Sequence, residues 1–181
     1  MKVFTIIFCL FITSVSLSQE KYIEKKGTIV FEASEKTFEP VKAKNTSVTT
    51  ILNINTGEIA SLALMKEFRF RNALMEEHFN ENYIESDTYS KTIFRGKIIR
   101  FNFFELSEQE KEFKVNGQLK LHGKEQNIES ILYISKKDEH IFIHGNFAVA
   151  PQDFDISIPK IVRNKIAKQV KVSVDFKLKQ Q

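Results

Sequence analysis

Four histidines are the side chains of this chain best suited to metal binding or proton transfer. They are His78, His122, His140 and His144. No pair has the HxH or HExxH spacing that many zinc sites use. His122 and His144 lie close to glycines near predicted strand ends, and they would share a metal only if neighbouring strands brought them together. Structural or solvated histidines fit the same sequence, and we expect no metal site.

Four carboxylates come close together in the sequence, at Glu76, Glu77, Glu81 and Glu85. Paired carboxylates can act as general acid and base, but on the flank of a short helix they are also typical of a solvated face. The chain has no GxSxG motif, no glycine-rich phosphate loop and no dinucleotide fingerprint. We therefore predict no catalytic residues, no cofactor and no enzymatic activity. A hydrolase would require polar side chains that converge on one pocket.

The N-terminus has the pattern of a cleavable signal peptide. Lys2 is followed by an apolar run over residues 3–15, and Ser16 and Ser18 place small residues before the expected cleavage point. We expect a signal peptide at residues 1–18, one domain over residues 19–181, and a periplasmic or secreted location. A retained signal anchor is the alternative. The only cysteine, Cys9, lies inside the apolar run, so the mature chain would contain no disulfide.

The distribution of charge argues against nucleic acid as a partner. The formal net charge is +4, and basic residues alternate with acidic ones along most of the 181 residues. We therefore expect a solvated mixed-charge surface and no nucleic-acid binding.

A local excess of basic residues follows Pro159. Two interpretations of this excess are open, a transient contact with anionic headgroups of a membrane surface and an ordinary soluble helix face. The residues are Lys160, Arg163, Lys165, Lys168 and Lys171.

Period-two alternation of apolar and polar residues dominates the chain. It is clearest at residues 113–121 and 170–178, and a turn at Gly57 joins two further strands at 48–55 and 58–64. Similar patterns bring the count to about eight strands, with short connections that favour antiparallel pairing. Spacings of three and four residues predict short helices at 72–83 and 159–168. The prediction is an all-β fold with two short helices, as an eight-stranded antiparallel barrel. A two-sheet sandwich has the same periodicity.

Several motifs, in order, resemble the YceI-like family of bacterial periplasmic proteins. The run FRFRNALMEEHFNENYIESDTYSKTIFRG at 68–96 is similar to the family pattern "FxFxxxLMxxHFNENYxES" followed by "xYPxxxFxG". GQLKLHG at 117–123 is similar to "GxLxxHG", and DFDISIP at 153–159 resembles "DFxIxxP". Ser90 and Lys91 stand where many members have a proline, which affects only a turn. The resemblance implies a lipocalin-like barrel, export to the periplasm, and a polyisoprenoid or similar long amphiphile bound in the interior. It also implies that a homodimer is possible, since many relatives form dimers.

An apolar tube is therefore the predicted functional site, because a long hydrocarbon chain needs a dry cavity and little directional bonding. A filled core in a structural or stress-related envelope protein is the alternative. The candidate wall residues are Phe68, Phe70, Leu74, Met75, Phe79, Phe94, Val115, Leu119, Leu121, Phe147, Val149, Phe154 and Ile156. The candidate mouth residues, for a polar head, are Arg69, Arg71, Asn80, Asn82 and Tyr83. The expected ligand is an isoprenoid, an isoprenoid quinone or a fatty-acid-like lipid.

Overall fold

The computed structural model describes residues 21–34 and 40–181. The predicted signal peptide and Cys9 lie outside the described residues. The strands, in chain order, are β1 (Lys21–Ser34), β2 (Lys42–Asn53), β3 (Glu58–Leu64), β4 (Arg69–Phe70), β5 (Lys91–Ile98), β6 (Lys111–Leu121), β7 (Lys124–Lys137), β8 (His140–Val149) and β9 (Ile166–Gln180). One α-helix, α1 (Ala73–His78), follows β4 and continues into a π-helical turn over Phe79–Tyr83.

The strands form one closed sheet. Its order is β1-β9-β8-β7-β6-β5-β3-β2, and β2 pairs with β1 to complete the circle. Every pairing is antiparallel, and only β4, which pairs with the beginning of β2, lies outside the eight-stranded ring. The predicted eight-stranded antiparallel barrel is confirmed. The sandwich alternative is wrong, because ring closure leaves no second sheet.

The helix predicted between strands is confirmed as α1 and its π-helical turn. Asn72 has an extended backbone, and its side-chain oxygen accepts hydrogen bonds from the amides of Leu74, at 2.9 Å, and Met75, at 3.4 Å. Asparagine is favoured at this position because it satisfies amides that have no partner within the helix. The cap thus fixes where the chain leaves β4 and begins α1.

The helix predicted at residues 159–168 is wrong. Residues 160–165 form turns, with hydrogen bonds from the Val162 amide to the Pro159 carbonyl, at 3.1 Å, and from the Lys165 amide to the Val162 carbonyl, at 2.9 Å. Strand β9 begins at Ile166, opposite Ser34 of β1. Residues 166–168, which would complete the last turn of the predicted helix, pair in the sheet instead. A helix limited to the remaining residues would have little stability of its own.

The interior of the barrel is packed at one end, which we call the closed end. The side chains of Leu52, Ile134, Ile141 and Leu178 are fully buried there. The segment after β5 covers this end, where the ring of Phe103 lies 5.7 Å from that of Tyr22. The opposite end, which we call the open end, lies beside α1 and the segment between β8 and β9.

Two glycines face each other across β5 and β6. Gly96 pairs directly with Gly117, and the Phe94 ring lies against both. A Cβ atom at Gly117 would lie 2.6 Å from the Phe94 ring and 2.5 Å from the Arg95 carbonyl oxygen, which is closer than such atoms pack. The glycines therefore admit an aromatic ring across the sheet, and this ring separates the packed end from the space above it.

Candidate functional site

A cavity of about 430 Å³ occupies the open end of the barrel. Its volume falls in the range of about 300 to 1,000 Å³ that is common for small-molecule sites. Of the 25 residues that line it, 21 are apolar, and the four others are His78, Tyr83, Thr92 and Lys165. So large an apolar lining favours a hydrocarbon ligand over a polar substrate, because few groups can bind polar atoms there.

Aromatic rings form the wall of the cavity beneath α1. Phe31 of β1 lies with its ring centroid 5.4 Å from that of Phe68, 5.7 Å from that of Phe70 and 5.3 Å from that of Phe79. All four residues line the cavity. These separations are typical of favourable aromatic pairs. The cluster thus holds α1 against the barrel while it presents ring faces to the cavity.

The segment after β8 forms the opposite wall, and the β6–β7 hairpin holds it in place. The Nδ1 atom of His122 lies 2.9 Å from the carbonyl oxygen of Phe154, and since a carbonyl only accepts, Nδ1 carries the proton. Gln126 donates a hydrogen bond to the carbonyl of Asp153, at 2.7 Å, and Lys124 forms an ion pair with Asp155, at 2.8 Å. Three contacts thus fix the point from which the wall segment extends.

A second cavity, of about 80 Å³, lies deeper in the barrel. It shares Ile29, Thr92, Leu119 and Phe147 with the larger cavity. Phe94 and residues of the packed interior line the rest, so the space narrows towards the closed end. The interior is therefore hollow at one end and filled at the other.

The structure places the 13 candidate wall residues in four environments. Leu74 is 58% exposed on the outer face of α1, and Phe154 is buried outside both cavities. Phe94 and Val115 line the deeper cavity. The remaining nine line the larger cavity: Phe68, Phe70, Met75, Phe79, Leu119, Leu121, Phe147, Val149 and Ile156.

Of the five candidate mouth residues, Tyr83 lines the larger cavity. Arg69 instead forms an ion pair with Glu76, at 2.7 Å. The side-chain amide of Asn80 donates to the Glu76 carbonyl, at 2.9 Å, and its buried oxygen has no hydrogen-bond partner within the described residues. Arg71 and Asn82 are exposed and do not line either cavity. The structure therefore brings one of the five to the cavity wall.

Fifteen residues of the larger cavity were not among the sequence candidates. The alternation in β1 and β9 could have identified several of them, because Ile29, Phe31 and Ala33 follow one face of β1, and Val170 and Val172 follow one face of β9. Thr92 lies in β5 and His78 in α1, and most of the others come from the turns and loops at the open end. The fifteen are Ile29, Phe31, Ala33, Val41, Met65, His78, Ile84, Thr92, Pro151, Ile158, Val162, Lys165, Ile166, Val170 and Val172.

Glu76 is the carboxylate most tightly held beside the cavity. Its Oε2 atom accepts a hydrogen bond from the backbone amide of Phe70, at 3.0 Å, while Oε1 accepts from Arg69. The Phe70 amide is the main cause that lowers the pKa of Glu76 below its usual value, and Arg69 adds to the effect. This residue ties α1 to β4 and thereby orients the aromatic wall.

The histidines do not converge. His122 lies 3.4 Å from a carboxylate oxygen of Glu85, whereas His144 stacks on Tyr133 and lies 3.5 Å from Glu110. Across residues 21–34 and 40–181, no three side chains of His, Cys, Asp or Glu are grouped as metal ligands would be. In the same part of the chain, no helix is long and apolar enough to cross a bilayer.

Closed barrel and apolar cavity together define a class of protein: the small antiparallel barrel whose interior leaves room for one ligand. A sequence model of the YceI-like domain matches residues 21–178, which is most of the chain. The protein therefore belongs to the YceI-like family, as the ordered motifs predicted. No curated protein matches the sequence.

Solved structures share this fold at low sequence identity. A polyisoprenoid-binding domain from Saccharophagus degradans, implicated in plant cell wall breakdown, superposes with a TM-score of 0.76 and 14% identity, over 89% of this chain and 98% of that one. BcnA of Burkholderia cenocepacia gives a TM-score of 0.69 at 11% identity, over 83% and 95% of the two chains. The YceI protein of Campylobacter jejuni gives 0.64 at 12% identity, over 81% and 88%.

Proposed function

We propose that this protein is an exported, non-enzymatic binding protein that holds a long-chain amphiphile in the open end of its barrel. The ligand class is a polyisoprenoid, an isoprenoid quinone or a fatty-acid-like lipid. The observation that carries the proposal is the cavity of about 430 Å³ with its apolar lining. The polyisoprenoid-binding domain from Saccharophagus degradans with the same fold supports it. The predicted signal peptide supports export to the periplasm or beyond.

Hydrocarbon burial is the main source of binding free energy for such a ligand. Each methylene that leaves water contributes about 0.8 kcal/mol. A tail of about ten carbons therefore gains about 8 kcal/mol, which corresponds to micromolar affinity before association costs and any headgroup contacts. The cavity also separates this proposal from a filled-core envelope protein, because an interior packed throughout would leave no such volume.

The first test is native mass spectrometry of the purified mature protein, with lipid analysis of an organic extract. We expect a stoichiometric bound mass with a long hydrocarbon chain. An apo mass, together with no thermal shift on addition of polyprenyl, quinone and fatty-acid compounds, would overturn the proposal.

A cavity-filling variant makes the test specific to the site. Leu119 lines both cavities, and Leu119→Trp places a larger ring in that space. Gln118→Trp adds the same ring to the exposed face of the same strand and is the matched control. We expect the bound mass to be lost, or reduced at least tenfold in occupancy, in Leu119→Trp alone. Equal occupancy in both variants would place the ligand elsewhere.

A further inference from the structure

We propose that the rim of the cavity formed by residues 160–168 is a docking surface for a bilayer that carries anionic lipids. The surface consists of Lys160, Ile161, Arg163, Lys165 and Lys168 and is named the basic rim below. The inference rests on the proposed function, since docking would bring the cavity to the lipid that it binds.

Charge is the first observation. Between Asp155 and Asp175 the chain contains five basic residues and no acidic one. All four basic residues of the basic rim are exposed. Within the described part of the chain, no carboxylate lies at salt-bridge distance from Lys160, Arg163 or Lys168. A cluster of this kind attracts an anionic membrane surface, at roughly fivefold in affinity per basic residue.

An exposed apolar side chain at the centre of the cluster is the second observation. Ile161 is 85% exposed, whereas Ile158, Val162 and Ile166 on either side of it line the cavity. Charge attraction alone does not need an isoleucine at this place. Insertion of one isoleucine into the region between headgroups and acyl chains strengthens membrane partition by roughly tenfold.

Position is the third observation. Val162 and Lys165 line the cavity, so the same short segment contributes to both the cavity wall and the basic rim. A bilayer in contact with this segment would lie directly beside the cavity entrance. A lipid could then pass between the two without its full tail crossing water, which is the costly step for a long hydrocarbon chain.

The side of the cavity formed by α1 carries exposed acidic side chains and sets the orientation. They are Glu77 and Glu81, on α1 and its π-helical turn, which we call the acidic rim. An anionic surface repels this side, so the protein would dock with the basic rim towards the bilayer and α1 away from it. The same asymmetry identifies the competing occupant, a second copy of the chain whose acidic rim meets the basic rim.

Vesicle flotation with the purified mature protein tests the inference. Vesicles of equimolar phosphatidylglycerol and phosphatidylcholine are compared with vesicles of phosphatidylcholine alone. The triple variant Lys160→Glu, Arg163→Glu, Lys168→Glu reverses the basic rim, and Ile161→Asp removes its apolar centre. Three exposed lysines distant from the open end, each changed to Glu, provide a control of equal net charge: Lys114, Lys137 and Lys179.

We expect wild type and the control variant to bind the anionic vesicles, with binding lost in high salt. The basic-rim variant should bind at least about 100-fold more weakly, and Ile161→Asp roughly tenfold or more. The proposal is overturned if wild type does not bind the anionic vesicles, or if the basic-rim variant binds them as well as the control variant does. It is also overturned if size exclusion shows that wild type self-associates through the basic rim and that the basic-rim variant differs from it only in this self-association. Native mass spectrometry of each variant separates the two proposals, because vesicle binding by a protein without bound lipid would contradict only the proposed function.

Discussion

At the scale of single residues, the walls of the cavity depend on a few polar side chains that do not themselves line it. Glu76 holds β4 against α1 by accepting from the Phe70 amide, and His122 holds the opposite wall through the Phe154 carbonyl. The first contact spans six residues and the second spans 32. No periodic pattern encodes either contact, so the sequence indicates only a solvated face at Glu76 and a structural or solvated residue at His122.

The charge of Glu76 should contribute to stability in a pH-dependent way. Because its pKa is lowered in the folded state, the contribution is fully present above the unfolded value near 4.5 and is lost as pH falls through the lowered value. Glu76→Gln should therefore lower the free energy of unfolding by about 1 kcal/mol at neutral pH, and by progressively less in acid.

Urea denaturation of Glu76→Gln and wild type over a pH series measures this difference. Glu77→Gln is the matched control, since it removes the same charge from an exposed neighbour. A difference that stays constant into strong acid would show that the charge of Glu76 plays no part.

At the scale of elements, alternation was a better guide than helical spacing. Strand β3 occupies the predicted residues 58–64, and β6 and β9 extend beyond the predicted 113–121 and 170–178. Strand β2 begins six residues before the predicted 48–55 and ends at Asn53, two residues early. The apolar spacing of Ile158, Val162 and Ile166 indicated a helix, but these residues line a cavity from turns and from the start of β9. The same spacing serves either structure, and the pairing of β9 with β1 decides between them. Such long-range pairing is not encoded locally.

Asn72 is the residue on which the start of α1 most depends. Asn72→Ala leaves the amides of Leu74 and Met75 without their side-chain acceptor, and we expect a loss of about 1 kcal/mol in the free energy of unfolding. Amide hydrogen exchange should accelerate at those two positions.

Asn82→Ala is the control for this change, because Asn82 is exposed beyond the end of α1. It should leave exchange within the helix unaltered. Unchanged exchange at Leu74 in the Asn72→Ala variant would mean that the aromatic wall, and not the cap, holds the helix.

At the scale of the whole molecule, the sequence predicted the closed barrel, but it did not distinguish an open interior from a filled one. Whether a volume remains depends on how side chains from all eight strands of the ring meet, as at Phe94 over Gly96 and Gly117. Side chains from every part of the chain determine how much interior volume stays unfilled. No single sequence motif encodes that volume, so the cavity is visible only in the structure.

A bound ligand should stabilise the whole barrel by mass action. A lipid present at about 100 times its dissociation constant adds about 2.7 kcal/mol to the free energy of unfolding. Extraction of the lipid should therefore lower Tm by several degrees in calorimetry, and its return should restore it. Leu119→Trp should show no change in Tm on extraction, since it would enter the experiment without lipid.

The packed closed end gives the molecule a fixed depth. A hydrocarbon tail that enters at the open end meets the Phe94 ring and, beyond the deeper cavity, the fully buried side chains of Ile134 and Ile141. The tail cannot pass through, so the packed end limits the length of hydrocarbon chain that the barrel can enclose. A tail that just reaches the packed side chains would be wholly buried, and every further carbon of a longer tail would remain outside the entrance. Affinity should therefore rise with tail length and then level off, and the tail length at which it levels off measures the depth of the cavity.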